Sequence, residues 1–462
     1  MKFTLNDIAA ATKGEISGAR TETQFSSIGI DTRKIGAGDL FVAIKGAHFD
    51  GHDFIGDAVA SGAGAVMVRN GTKLSHPTPA VLVKDTERAL GDIAAWWRRR
   101  FDAPCVAISG SNGKSTTKEM AAAIAAAKGT VLKTEGNFNN LIGLPLTVFR
   151  WTEGHGVAVL EMGMNAPGEI RRLTEIAAPG VGLITNVTAA HLEKLHTVEA
   201  VARAKGELFE TMDSKGLICV NAEDRWVMEA AKGRRGDRIT FGMQNDCDVK
   251  FLNMETNGLD EMRLAVSIKG REHTTVLPVP GAHNVMNALA ALSIGVALGV
   301  DDSEAMERLA AFKPMAMRFE RIQLANGARM VNDSYNANPE SMRAAFRTVG
   351  SATRAGRFIV ALGDMLELGD QSPDFHRGVG EAAAEMGASP IYVLGDFASE
   401  VADGAMSAGV GESSIVVCDD VEQMSRLIEK DLRAGDVLLV KGSRGMRMER
   451  VVDYLKQEIG TG

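Results

Sequence analysis

The sequence has few of the features that mark secreted or membrane-spanning proteins. Its 462 residues include only four cysteines, scattered without a Cys-x-x-Cys pair, which argues against a zinc site or a disulfide framework. No apolar run reaches the ~18 residues that suggest a membrane span, and the longest candidate, 288–298, is interrupted by Ser293 and Gly295. The N-terminus becomes polar too early for a signal peptide. We therefore expect a cytoplasmic protein without stable membrane association.

Basic charge and aromatic side chains are scarce as well. Lysine plus arginine number 51 against 59 aspartates plus glutamates, a formal net charge of −8, so the basic footprint of a nucleic-acid-binding protein is missing. Aromatic residues make up 5% of a chain that has 50 glycines, a balance typical of α/β proteins with many tight strand-to-helix turns. The apolar fraction of 45% is ordinary for a globular protein, and the length predicts about three domains.

Short runs of β-branched residues alternate with longer alanine-rich segments, which predicts an α/β fold in three domains. We expect a small N-terminal α/β domain at 1–85, a central domain with a parallel sheet at 86–313 and a C-terminal Rossmann-like domain at 314–462. An amphipathic helix over 86–103 is predicted to link the first two. The main strands are predicted at 40–44, 65–68, 81–83, 105–109, 157–161, 181–185, 217–221, 358–362, 391–394, 414–418 and 437–440.

The strongest functional signal is a glycine-rich loop between the predicted strand 105–109 and a predicted helix over 118–128. Backbone N–H groups of such a loop close around phosphate oxygens, and the helix dipole adds positive potential. The lysine can then reach the β- and γ-phosphates and the serine hydroxyl can bind Mg²⁺. The usual pattern needs glycine at position 108, where Ile108 stands, so the loop is a shortened G-x-x-G-K-[ST]; an ordinary glycine-rich turn is the alternative. The loop consists of Gly110, Ser111, Asn112, Gly113, Lys114, Ser115 and Thr116.

Three further polar residues of the predicted central domain are candidates for chemistry. Glu161 ends a predicted strand, where a Mg²⁺ ligand of a nucleotide site belongs, although a solvated strand-end glutamate is the alternative. His191 and Lys205 fall at predicted helix positions. Each could be catalytic, or merely solvated or packed.

Taken in order along the chain, these features resemble the central domain of the Mur ligases. They are the loop, Glu161, the run Asn-Val-Thr at 186–188 with His191, and Lys205 in an Ala-Lys-Gly-Glu context. These are ATP-dependent, amide-bond-forming enzymes of peptidoglycan assembly. The resemblance implies an N-terminal domain for a UDP-linked substrate, a central ATPase domain and a Rossmann-like C-terminal domain.

The resemblance also implies the catalytic and metal-binding residues. Lys114, Lys205 and His191 would be catalytic. Two Mg²⁺ ions are implied, with metal contacts from Ser115, Glu161, His191 and Lys205. For the last to ligate a cation it would be carbamylated by CO₂, because a carbamate is a carboxylate whereas an ammonium cannot bind a dication.

Further segments narrow the resemblance to the branch that adds D-alanyl-D-alanine to UDP-N-acetylmuramoyl-tripeptide. Relatives that add diaminopimelate or lysine differ at 333–339 and in the C-terminal loop. At Thr32 relatives commonly carry serine, so the hydroxyl is retained. The segments are 31–33, 38–43, 50–52, 136–140, 145–147, 332–339, 362–369 and 440–449.

Nucleotide and substrate contacts follow from the same resemblance. Besides the loop, Asn287 (at the adenine), Arg318, Asp333 and Asn336 would contact ATP. Arg318 lies at the predicted boundary of the second and third domains, where it could reach the phosphates on domain closure or make an interdomain salt bridge. The implied contacts to the UDP-linked substrate are Thr32, Ala47, His48, Phe49, Asn137, Asn139 and Asn140.

The expected reaction proceeds through an acyl phosphate and uses ATP and Mg²⁺ in a monomeric enzyme. Two other classes remain. A folylpolyglutamate synthetase would share the loop and the modified lysine but lack an N-terminal domain such as 1–85. A non-enzymatic nucleotide switch would need neither Lys205 nor the third-domain segments. The sequence leaves open whether the third residue of the tripeptide is diaminopimelate or lysine.

Overall fold

The computed structural model describes residues 3–18, 24–46, 48–74, 78–189, 192–234, 236–353 and 356–462. Two predicted site residues, Ala47 and His191, lie outside the described residues. Within them, helices cover sheets of five, nine and six strands, and a two-stranded pair stands near the N-terminus. The predicted α/β class is therefore confirmed. No helix in these ranges is both long enough and apolar enough to cross a bilayer.

The N-terminal region forms the five-stranded sheet. Its elements are β1 (Phe3–Thr4), α1 (Leu5–Thr12), β2 (Glu15–Ser17), β3 (Gln24–Phe25), β4 (Ile28–Gly29), β5 (Leu40–Val42), α2 (Ile55–Ala60), β6 (Ala65–Arg69), β7 (Ala80–Val83) and α3 (Thr86–Arg98). The sheet order is β2-β7-β6-β5-β4, with β2 antiparallel to its neighbour and the others parallel. β1 pairs with β3.

Helix α3 ends at Arg98, five residues before the predicted end. Pro104 restricts the residue before it to an extended conformation, so the chain must leave the helix to enter the next strand. The Arg98 guanidinium holds this turn by donating to the carbonyls of Phe101 (2.5 Å) and Ala177 (2.9 Å). The helix is therefore packed between the first two regions.

The central region forms the nine-stranded sheet. Its elements are β8 (Cys105–Ser109), α4 (Lys114–Ala125), β9 (Thr130–Lys133), α5 (Gly143–Phe149), β10 (His155–Glu161), α6 (Glu169–Ala177), β11 (Val181–Ile184), α7 (Leu192–Leu195), α8 (Val198–Thr211), β12 (Leu217–Asn221), α9 (Arg225–Lys232), β13 (Arg238–Gly242), β14 (Val249–Asn257), β15 (Glu261–Ile268), β16 (Arg271–Leu277), α10 (Ala282–Ala297) and α11 (Asp302–Ala310).

Seven strands of this sheet run parallel, in the order β14-β13-β12-β11-β8-β10-β9. The antiparallel strands β15 and β16 extend its edge beyond β14. This antiparallel extension was not predicted, although the alternation of buried and exposed residues along β15 is a strand signal.

The C-terminal region forms the six-stranded sheet, ordered β17-β18-β22-β19-β20-β21. All neighbours are parallel except β17, which is antiparallel to β18. Its elements are β17 (Glu320–Gln323), β18 (Arg329–Asp333), α12 (Pro339–Ala352), β19 (Phe358–Gly363), α13 (Ser372–Glu385), β20 (Ala388–Leu394), α14 (Ala398–Ser407), β21 (Ile415–Cys418), α15 (Val421–Asp431), β22 (Val437–Lys441) and α16 (Glu449–Glu458).

The strand order of the central sheet places the glycine-rich loop at a crevice. β8 lies between β10 and β11, so the carboxyl ends of these three strands are adjacent. Ligands of open α/β sheets bind at this edge. The helix after the loop begins at Lys114, four residues before the predicted start, because the last residues of the motif already form its first turn.

Candidate active site

The loop after β8 has the backbone of a phosphate-binding turn. Gly110 and Gly113 have φ angles of +143° and +79°, which favour glycine. A Cβ atom would collide with the Thr185 hydroxyl at the first position and with the Asn287 amide at the second. The first turn of α4 receives no side-chain cap, which leaves its N–H groups directed into a cleft of about 1100 Å³.

The segment after β11 braces the loop. The backbone N–H of Ser111 donates to the Asn186 carbonyl at 2.9 Å, and that of Asn112 donates to the Asn186 side chain at 2.9 Å. Thr188 in turn donates its N–H to the Ser111 hydroxyl at 3.0 Å. The run at 186–188 therefore holds the loop in shape, a role that the sequence did not reveal.

Lys114 folds back over the loop. Its Nζ donates to the carbonyls of Gly110 at 2.8 Å and Ser111 at 3.2 Å. Burial lowers the pKa of Lys114; the nearby Arg318 lowers it further, while Glu161 acts in the opposite direction. The ammonium is thus held over the loop, where it can meet phosphate oxygens.

Glu161 is not a solvated strand-end residue, because it is only 3% exposed. Its Oε2 accepts from the Ser115 hydroxyl at 2.7 Å and its Oε1 accepts from the Asn139 amide at 2.7 Å. A carboxylate and a hydroxyl side by side are the hard oxygen donors that Mg²⁺ prefers. Ser115 and Glu161 therefore suit one Mg²⁺ ion, completed by phosphate and water.

Lys205 lies behind the loop and is 1% exposed. Its Nζ donates to the Gly110 carbonyl at 2.9 Å. Burial, and then the neighbouring Lys114, lower the pKa of Lys205 well below its usual value, so the site favours the neutral amine. In the described ranges no three His, Cys, Asp or Glu side chains cluster as a metal site.

Arg318 reaches the loop from the junction with the third region. Its Nη2 donates to the Ser115 hydroxyl at 2.8 Å, and its guanidinium stacks 3.9 Å above the Tyr335 ring. Both flanking residues, Met317 and Phe319, have positive φ angles of 61° and 53°, a strained arrangement for non-glycine residues. Among the described residues, the contacts of Arg318 are a hydroxyl and a ring, not the carboxylate of a salt bridge.

The third region supplies a second wall of the cleft. The Asp333 carboxylate accepts from Lys441 Nζ at 2.5 Å, and the same ammonium donates to the Asn336 carbonyl at 3.1 Å. The Asn338 amide donates to Asn112 Oδ1 at 2.5 Å and so joins this wall to the loop. Sequence reasoning identified Asp333 and Asn336 but missed Lys441, which is 2% exposed.

Asn287 lies on α10 and contacts α4, the helix that follows the loop. Its Oδ1 accepts from the Thr117 hydroxyl at 3.3 Å, and its Nδ2 donates to Asn284 Oδ1 at 3.1 Å. Asn287, Asp333 and Asn336 all line the cleft together with the loop.

The residues predicted to bind the UDP-linked substrate divide into two groups. Asn137, Asn139 and Asn140 line the cleft. Of the described residues of the N-terminal region, Thr32, His48 and Phe49 are not part of this lining. The Phe49 side chain is 75% exposed.

Three protein-family models match successive parts of the chain. A model of the catalytic domain of the Mur ligase family matches residues 24–98, the Mur ligase middle domain matches 108–295, and the Mur ligase glutamate ligase domain matches 317–444.

Individual relatives match over the whole length. The chain is 36% identical, over 100% of both sequences, to the UDP-N-acetylmuramoyl-tripeptide–D-alanyl-D-alanine ligase of Escherichia coli strain K12. A crystal structure of MurF from Acinetobacter baumannii superimposes with a TM-score of 0.91 at 30% identity and covers 99% of each chain. The MurF ligase of Thermotoga maritima in complex with ADP gives a TM-score of 0.82 at 30% identity, covering 94% of this chain and 97% of that one.

Proposed function

The chain belongs to the Mur ligase family, and from that premise we propose that it joins D-alanyl-D-alanine to UDP-N-acetylmuramoyl-tripeptide at the expense of ATP. The observation that carries the proposal is full-length similarity to ligases named for this reaction, combined with a phosphate-binding loop in a two-walled cleft. The family match at residues 24–98 argues against a folylpolyglutamate synthetase, which would lack this region. The cytoplasm, where ATP is available, is the proposed location.

The reaction needs a better leaving group than a carboxylate offers. Attack of the tripeptide carboxylate on the γ-phosphate of ATP forms an acyl phosphate and releases ADP. The dipeptide amine then attacks the acyl carbon, and phosphate leaves from the tetrahedral intermediate as the amine loses its proton. Phosphoryl transfer of this kind depends mainly on positioning and electrostatic stabilisation.

Different residues of the cleft bind the phosphates and exclude water. Loop N–H groups and Lys114 bind and orient the phosphates, and Arg318 adds a second cation from the far wall. The link from Asn338 to Asn112 closes the wall over the loop, which excludes water from the reactive acyl phosphate.

Magnesium suits the oxygen donors present. Ser115 and Glu161 would hold one Mg²⁺, which neutralises charge on the transferred phosphoryl group. For a second ion we propose Glu161, His191 and Lys205 as the holding residues. Lys205 suits this role only after its neutral amine adds CO₂, which forms an N–C bond, releases a proton and leaves a carbamate.

The test is phosphate release by the purified full-length protein with ATP, UDP-linked tripeptide and a panel of dipeptides. We expect turnover only with tripeptide and D-alanyl-D-alanine together, and comparing tripeptides that carry diaminopimelate or lysine identifies the third residue. Lys114→Ala should lose at least about 100-fold in turnover and still fold. Lys128→Ala, in the exposed 3-10 turn that follows the same helix, serves as the control. Unchanged phosphate release by a folded Lys114→Ala variant would overturn the ATP-site assignment.

A further inference from the structure

Lys118 is a buried cation next to the proposed metal site that the reaction does not explain. It lies on α4, one turn after Lys114, and is 2% exposed. Lysine is almost never fully buried unless its ammonium is paired. Its Nζ donates to the Thr134 carbonyl at 2.6 Å and lies 3.0 Å from Glu119 Oε1.

Thr134 connects Lys118 to Glu161, the residue proposed to bind Mg²⁺. It directly follows β9 and is fully buried. While its carbonyl accepts from Lys118, its hydroxyl accepts from the backbone N–H of Glu161 at 2.9 Å. Two hydrogen bonds thus connect the Lys118 ammonium to the residue that would bind Mg²⁺.

The same threonine begins the segment that supplies a second contact to Glu161. Five residues further along, the side-chain amide of Asn139 donates to Glu161 Oε1, and the backbone carbonyl of Asn139 accepts from the Gly163 N–H at 2.8 Å. Because Lys118 holds Thr134 in place, it influences Glu161 in two ways. Thr134 binds the backbone N–H of Glu161, and it begins the segment whose Asn139 orients the Glu161 carboxylate.

We propose that Lys118 and Thr134 form a positioning pair that sets the orientation of Glu161 and thereby the affinity of the cleft for its divalent cation. The inference rests on the proposed function, because it assumes that Ser115 and Glu161 hold the metal. Residues that orient metal ligands typically change metal affinity or activity by 10–100-fold when they are replaced.

Two substitutions break the pair at different points. Lys118→Met keeps the length of the side chain but removes the donor to Thr134, and Glu119 retains its other partner, Lys133. Thr134→Val keeps the shape but removes the hydroxyl that accepts from Glu161. Thr134→Ser retains that hydroxyl and should behave like the parent protein.

The measurement is ADP affinity by calorimetry, with Mn²⁺ and separately with EDTA, together with Mn²⁺ binding by EPR. We expect Lys118→Met and Thr134→Val to weaken Mn²⁺ binding and Mn²⁺-dependent ADP binding roughly tenfold or more, while ADP affinity in EDTA stays unchanged. Thr134→Ser and the surface control Lys128→Met, whose Nζ contacts the Gly299 carbonyl, should match the parent.

The possible outcomes distinguish a failure of the positioning role of Lys118 and Thr134 from a failure of the metal assignment to Ser115 and Glu161. Equal losses with and without Mn²⁺ would mean that the pair merely supports the loop helix, and no loss in either variant would remove its role; both overturn the inference. If the parent protein itself binds ADP equally with Mn²⁺ and with EDTA, the metal assignment to Ser115 and Glu161 fails instead.

Discussion

Among the described residues, three lysines around the cleft are almost completely buried, but their partners differ. Lys441 has the Asp333 carboxylate and Lys118 has Glu119. Within the part of the chain that the structure describes, the partner of Lys205 is the Gly110 carbonyl, and an ammonium buried without a carboxylate carries a large desolvation cost. Burial, and then the neighbouring Lys114, lower the pKa of Lys205, and under the proposed mechanism this favours the neutral amine that would add CO₂.

Replacing Lys205 tests whether the residue acts as a carbamate. Lys205→Ala should lose activity, and short carboxylic acids added to the assay should partly restore it, because they return the missing carboxylate. A lysine with a purely structural role would show no such rescue. Turnover assays with and without acetate or formate provide the measurement.

Lys215→Ala is the matched control for this experiment. Lys215 is exposed on the turn after α8, so its loss should change stability by no more than about 0.5 kcal/mol and leave turnover normal with or without the acids. Normal activity of Lys205→Ala would refute the carbamate.

At the residue scale, the sequence predicted the groups whose chemistry is local. The loop is recognisable from residue type and spacing, whereas Glu161 and Lys205 received their roles only through the resemblance to the Mur ligases; the structure brings all three together. The roles of Asn186, Lys118 and Lys441 could not be predicted, because their contacts depend on the order β11-β8-β10-β9 in the central sheet and on β22 lying beside β18 in the third region. Neither arrangement can be read from order along the chain.

At the scale of secondary-structure elements, the hairpin of β14 and β15 connects the central and C-terminal regions. Leu259, at its turn, is 3% exposed and belongs to the core of the third region. Arg321 on β17 donates to the carbonyls of Leu259, in the hairpin turn, and of Pro278, directly after β16, both at 3.0 Å. The unpredicted antiparallel extension of the central sheet therefore has a structural purpose, which is to hold the neighbouring domain.

Truncation at the hairpin turn should destabilise the protein. Leu259→Ala removes a buried side chain and should lower the free energy of unfolding by about 2–4 kcal/mol. The same truncation at Leu252, which is 39% exposed on the same hairpin, should cost less than about 0.5 kcal/mol. Denaturant unfolding of both variants supplies the comparison, and equal effects would contradict the docking of the turn.

Buried strands were the best-predicted elements. The strands at 105–109 and 217–221 have the predicted bounds, because continuous apolar runs between turns admit few alternatives. Helix ends were predicted less well: α3 ends early before Pro104, and α4 begins inside the phosphate-loop motif. In both cases the deciding factor was the connection to the next element rather than the helical pattern.

At the scale of the whole molecule, the two junctions between sheets are built differently. One continuous apolar core includes Leu5 and Leu90 of the N-terminal region as well as Leu173 and Ile176 of the central region. The central and third regions have separate cores, bridged by the Leu259 turn. We therefore expect relative motion at the second junction, around 312–319, where Met317 and Phe319 carry positive φ angles.

Closure over the loop depends on a few polar contacts, which makes it sensitive to ligands. The links from Arg318 to Ser115 and from Asn338 to Asn112 are each worth only about 0.5–1.5 kcal/mol net. An open form without ligands and a closed form with nucleotide and tripeptide should therefore interconvert. Small-angle X-ray scattering of the purified protein should show a smaller radius of gyration when both ligands are present.

Asn338→Asp isolates the contribution of closure. Asn338 also caps α12, where its side-chain oxygen accepts from the Ser341 N–H at 2.9 Å. Aspartate keeps that cap but loses the amide donor and sets a carboxylate against Asn112 Oδ1. The variant should compact less than the parent when both ligands are present and should have a raised KM for ATP at unchanged thermal stability. Asn253→Ala, on the exposed face of β14, should not differ from the parent. Identical scattering of parent and Asn338→Asp, with and without ligands, would show that the third region is fixed in place and that closure plays no part in the reaction.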